Sequence, residues 1–177
     1  KKDVKWIGTA DGLATLAGNS WNIYNTVNSP LPSNFITALE VGKESNVWIG
    51  TDKGLINYNG ASWSVPDKLK GEFVTRLHFD EKSGVLWVGT ERGLFRYDGN
   101  QWEGYNDAGS ALLDLYVSSL AVDRNGTLWV GTFDHFSFIG RLLKFDGSKW
   151  TGERLDHRDL PSSCPDALLI DENDIAW

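Results

Sequence analysis

With 177 residues, 41% of them hydrophobic, the chain can bury the core of one sizeable domain, and no apolar run approaches a membrane-spanning helix. A net charge of -7, from 24 acidic and 17 scattered basic side chains, argues against nucleic acid as a partner. The single cysteine, Cys164, excludes an internal disulfide, and no Cys/His spacing suggests zinc, so no cofactor or metal is expected.

Lys1-Lys2-Asp3-Val4 has no apolar stretch behind its lysines, so no signal peptide is expected in this chain. The sequence contains no Met, which points to a mature product or a piece of a longer polypeptide. The first repeat, residues 1–34, opens on a strand over Val4–Thr9 carrying Trp6-Ile7-Gly8-Thr9 and reaches a second tryptophan at Trp21. In the second, residues 35–72, four strands are legible: a, Ile36–Val41; b, Val47–Thr51; c, Gly54–Tyr58; d, Ser62–Val65. The third, residues 73–115, repeats the pattern in Trp87-Val88-Gly89-Thr90 and Trp102. The fourth, residues 116–166, has Val117–Val122 as strand a, then Trp129-Val130-Gly131-Thr132 and Trp150. Ala167–Asp171 reads as strand a of a further repeat over 167–177.

Trp6, Trp48, Trp87, Trp129 and Trp177 recur at intervals of 42, 39, 42 and 48 residues. Trp21, Trp63, Trp102 and Trp150 follow the first four by 15, 15, 15 and 21. Helical pairs and four-stranded blades both suit that period. Short segments rich in β-branched and aromatic residues, separated by tight turns, select blades. Asn59-Gly60, Asp98-Gly99 and Asp146-Gly147 sit where a c–d hairpin needs positive φ, and Asp123-Arg124-Asn125-Gly126 closes an a–b hairpin. The expected fold is therefore all-β: one β-propeller domain over 1–177, built of four-stranded antiparallel blades, either a closed four-blade ring or part of a larger propeller. Strands b are apolar on both sides of the pleat, which suits blades sandwiched between neighbours. The eight paired tryptophans then fill the space between blades.

In such a meander, b–c loops and d–a crossings emerge on one face, and a–b and c–d turns on the other. The first face carries the elaborate loops, including Phe133–Gly140, and loops on a rigid scaffold tend to carry function. Phe133, Asp134, His135 and Phe136 combine aromatic faces with polar atoms that suit stacking on a sugar ring and binding its hydroxyls. Asp156 and His157, in the crossing that follows, are weaker candidates for the same ligand, a small molecule or oligosaccharide. The alternative for the insertion is packing against another domain or a protein partner. His78, in the third strand a, is weighed against a packed core histidine, and no Ser/His/Asp order is recognisable.

The run Leu86-Trp87-Val88-Gly89-Thr90-Glu91-Arg92-Gly93-Leu94-Phe95-Arg96-Tyr97-Asp98-Gly99-Asn100-Gln101-Trp102 resembles the two-component regulator propeller repeat, and Leu31–Leu39 resembles its lead-in to strand a. The resemblance implies a sensing propeller from the periplasmic or extracellular part of a bacterial signalling protein, often one responding to carbohydrates. It implies signal transduction by binding rather than catalysis. A protein-interaction scaffold is the second reading. A propeller enzyme similar to streptogramin lyases is the third, although their catalytic residues find no match here. The fourth repeat departs from the pattern after Thr132, and the first has Ala17 where the others have Asp or Asn.

Overall fold

The computed structural model describes residues 4–106, 112–155, 164–171, 173 and 175. Every sheet in it is an antiparallel meander, its strands in chain order from one edge to the other. Blade 1 has three strands, β1 (Val4–Thr9), β2 (Gly12–Ala17) and β3 (Ser20–Tyr24). Blade 2 is β4 (Ile36–Val41), β5 (Val47–Thr51), β6 (Gly54–Tyr58) and β7 (Trp63–Ser64). Blade 3 is β8 (Val74–Asp80), β9 (Val85–Thr90), β10 (Gly93–Tyr97) and β11 (Trp102–Tyr105). Blade 4 is β12 (Tyr116–Val122), β13 (Leu128–Asp134), β14 (Ile139–Phe145) and β15 (Trp150–Leu155). The all-β propeller-blade reading of the sequence thus stands.

Two details differ. Strand d of the second repeat shrinks from Ser62–Val65 to Trp63–Ser64, because Pro66 has no N–H to give the ladder and ends it early. The segment Ala167–Asp171, expected as strand a of a further repeat, has one bridge residue, Ile170. The turn after it does form: Asp171 N donates to Ile175 O at 3.0 Å, and the Asp171 carboxylate accepts from Asn173 N and Ile175 N. Asp123 builds the same turn with Asn125 N, Thr127 N and Thr127 O.

Compact packing divides the chain into two units, Lys1–Leu77 and His78–Trp177. In the first, Leu13, Leu31, Val47, Ile49 and Ile56 form a buried core. An aromatic quartet packs beside it: Trp6 and Tyr24 of blade 1 meet Tyr58 and Trp63 of blade 2, with centroids 5.6 Å apart for Trp6–Tyr58 and 5.3 Å for Tyr24–Trp63. The second unit repeats the arrangement around Leu94, Leu112, Val117, Leu128 and Val130. There Trp87 and Tyr105 of blade 3 meet Phe145 and Trp150 of blade 4, with Trp87–Phe145 at 6.1 Å and Tyr105–Trp150 at 5.6 Å. So the strand-b tryptophan and strand-d tyrosine of one blade receive the strand-c aromatic and strand-d tryptophan of the next.

The glycine between those aromatics and the threonine has a separate reason. A methyl group on Gly8 would come within 2.6 Å of Ile36 Cγ2, and one on Gly50 within 2.6 Å of Val74 Cγ1. Only a residue without Cβ lets the next strand a approach so closely. Trp48 and Trp87 are buried, and Trp6, Trp63, Trp102, Trp129 and Trp150 are half-buried. Trp21 is 57% exposed. It pairs with Leu16, whose other partner is Lys5, in a row on the side of blade 1 opposite the rows that enter the core.

Candidate functional site

Strands β1, β5 and β9 each end at a threonine paired with the first glycine of strand c: Thr9 with Gly12, Thr51 with Gly54, and Thr90 with Gly93. Each threonine hydroxyl donates to that glycine's carbonyl, at 2.7, 2.8 and 3.0 Å, and accepts the N–H two residues on. The side chain is therefore a clamp on the b–c turn. In blade 4 the hairpin runs two pairs further, through Phe133↔Gly140 and Asp134↔Ile139. Thr132 then faces Arg141 in mid-ladder, fully buried, and its Oγ1 has no hydrogen-bond partner among the described residues.

The extended hairpin holds the aromatic residues that the sequence singles out. Asp134 Oδ1 accepts from Phe136 N at 2.9 Å and Ser137 N at 3.3 Å, while Oδ2 accepts the Ser137 hydroxyl at 2.6 Å. The Ser137 hydroxyl and the Phe136 amide hold the Asp134 carboxyl below the usual carboxylate range. Asp134 thus caps the loop, and the rings are what the loop presents. His135 meets Tyr116 edge-on at 5.3 Å and Phe133 at 5.2 Å, and Phe138 lies 6.4 Å from Phe133. Phe136 is 93% exposed at the tip. Phe133, His135 and the cap Asp134 are brought together, and Phe136 projects from them. Asp156 and His157 lie outside the described residues. Tyr116 was missed; the signal is its place just before strand a, where the second repeat has Phe35.

The b–c turns and d–a crossings do share a face within each unit. Gly12 N donates to Asn34 O at 2.7 Å, and Gly71 N donates to Lys53 O at 3.1 Å. A methyl on Gly93 would lie 3.2 Å from Leu112 O.

A second feature lies on the opposite face of the second unit, among the a–b and c–d turns. A cleft of about 640 Å³ opens over the aromatic quartet, with Ser83 and Gly126 from the a–b turns and Ser148 from a c–d turn at its edge. Asp80, Arg96 and Glu103 supply its charge. Arg96 Nη1 stands 3.8 Å from Glu103 Oε2 and 3.8 Å from Asp98 Oδ2. Burial, then the hydrogen bond to Glu103 and that residue's charge, push the Tyr105 phenol up to about 12. Burial opposes ionisation of Asp80, but hydrogen bonds from Ser83 and Lys82 outweigh it and keep the carboxyl below its ordinary value. Nearby, burial lowers the pKa of His78, with Asp80 acting the other way. Among the described residues no cluster of three or more metal-ligating side chains occurs. Nor is any described helix long and apolar enough to cross a membrane.

Residues 30–53 and 111–134 match the family model of the two component regulator propeller, so the chain carries repeats of that kind. No curated protein matches the sequence. Among solved structures, the extracellular domain of BT4673 from B. thetaiotaomicron, described there as a one component system, is 25% identical with a TM-score of 0.80 over 99% of this chain and 25% of its own. A second structure, described as the extracellular domain of a hybrid two component system of the same name, gives 25% identity and a TM-score of 0.79 over 99% and 24%. The extracellular domain of BT3049, another B. thetaiotaomicron hybrid two component system, shares the fold at 19% identity and a TM-score of 0.72 over 97% and 24%. The chain therefore spans about a quarter of the length of these relatives.

Proposed function

We propose that the chain is a ligand-binding part of a sensor propeller in the extracytoplasmic region of a bacterial signalling protein, and that it binds rather than transforms its ligand. The observation that carries this reading is the likeness of 99% of the chain, at 25% identity, to the extracellular domain of a signalling protein. The contact surface on this reading is the extended β13–β14 hairpin. Its rings lie at right angles to one another and leave Phe136 and Phe138 outward, a surface on which the C–H face of a pyranose can stack. Asp134 acts as a positioning residue, because both of its oxygens already hold the loop.

The 93% exposure of Phe136 also favours a second reading, in which the tip anchors a protein partner. A glycan array followed by thermal-shift titration of the full-length protein separates the two. On the first reading a glycan is retained and raises Tm in a saturable way, with the glycan recovered intact. Failure of every glycan to bind, or recovery of a cleaved product, would overturn it.

A further inference from the structure

The four blades place different side chains at one register position, the strand-c residue paired with the strand-b tryptophan and its strand-d neighbour. Blade 1 has Thr15 and Asn22, blade 2 has Asn57 and Ser64, and blade 4 has Lys144 and Thr151. Blade 3 alone puts a cation and an anion there, Arg96 and Glu103. These two face the 640 Å³ cleft, whose floor is the aromatic quartet. In blade 4 the corresponding cation folds away over its own tryptophan, Lys144 Nζ lying 3.8 Å from the centroid of Trp129. Arg96 instead points among carboxylates.

The 3.8 Å separation of Arg96 from Glu103 is longer than a hydrogen bond, so the guanidinium keeps donors available, and the Glu103 carboxylate, which already accepts from Tyr105, keeps further lone pairs. A hydroxyl set between them can accept from the guanidinium and donate to the carboxylate at once. Charge decides what carries that hydroxyl. An anion would meet Asp80 and Glu103, and a cation would meet Arg96, so a ligand of either sign faces a like charge. A neutral ligand faces none. Trp150 and Tyr105 offer apolar surface beneath, and the cleft lies within the usual size of small-molecule sites. We infer that the blade 3–blade 4 cleft is a second binding site, on the face opposite the extended hairpin, for a neutral ring bearing adjacent hydroxyls, a pyranose.

The test follows the indole N–H resonances of Trp87 and Trp150 in the full chain, assigned by Trp→Phe substitution. The probes are methyl glucopyranoside, galactopyranoside and mannopyranoside, with choline and glucuronate as charged controls. We expect saturable shifts of these two indoles with at least one methyl pyranoside, and no saturable shift with either control. Arg96→Met and Glu103→Gln should each weaken that binding at least tenfold, whereas Phe136→Ala should leave it unchanged. The Glu103 side chain is itself 56% exposed at the rim of the cleft, so its conservative variant keeps the test decisive even where Arg96→Met impairs folding. Three results overturn the inference: no pyranoside shifts these indoles, a charged control binds in its place, or binding survives Glu103→Gln undiminished. Because Phe136→Ala reports on the other face, failure here is distinguishable from failure of the hairpin reading.

Discussion

Four threonines in equivalent places show how one side chain changes meaning with the length of its hairpin. Thr51 and Thr90 are fully buried, and each makes two hydrogen bonds that close a turn. Thr51→Val or Thr90→Val should cost about 1–2 kcal/mol, because a buried glycine carbonyl and an amide lose their partner. Thr132→Val should be neutral or stabilising within about 0.5 kcal/mol, since its hydroxyl is buried without a partner. Urea unfolding of the three variants checks the contrast. Gly50→Ala belongs to the same scale: with Val74 Cγ1 only 2.6 Å from the new methyl, overpacking should cost about 1–3 kcal/mol in the same assay. Asp134 was read from the sequence as a ligand-facing polar group, yet Asp134-His135-Phe136-Ser137 carries the Asp-x-x-Ser pattern of a side-chain-capped turn, as does Asp80-Glu81-Lys82-Ser83.

At the scale of elements, the strand order was legible because each blade spends fixed residues on fixed tasks. Tryptophan packs the seam, glycine admits the next strand, threonine clamps the b–c turn in blades 1 to 3, and Asn-Gly or Asp-Gly turns c into d in blades 2 to 4. The cleft was not legible in the same way. Its lining comes from both strands and turns of two blades, from Asp80 to Trp150, and only the register sets Arg96 opposite Glu103. The choice of the b–c face rested on loop length, and a cleft lined by short turns leaves no such mark. The insertion itself can be tested by replacing residues 133–140 with the Glu91-Arg92 turn of blade 3, together with Arg141→Gly. This restores the Thr132 clamp, so the variant should fold with a Tm no lower than that of the parent. It should also lose hairpin-dependent glycan binding. A collapse in Tm would mean that the hairpin serves packing.

For the whole molecule, pH sets the stability through groups of both kinds. Burial lowers the pKa of His78, so the folded state binds fewer protons than the unfolded one. Its contribution is fully present above the unfolded value of 6.5 and is lost as pH falls below it. The turn carboxylates Asp80, Asp98, Asp123, Asp134 and Asp146 are all held below 3.8, so what they contribute is present above that value and lost beneath it. Thermal melts should therefore show a first decline in Tm starting near pH 6.5, abolished in His78→Gln, and a second below about pH 4. The seam quartet recurs once in each compact unit, which gives each its own aromatic core. The central claim is that this propeller region binds a ligand through the extended hairpin. Isothermal titration of the best-retained glycan against wild type, Phe136→Ala and Asp134→Ala tests it most directly. The account predicts at least tenfold weaker affinity for both variants, Phe136→Ala by removing a contact and Asp134→Ala by releasing the loop. Unchanged affinity in both would contradict it.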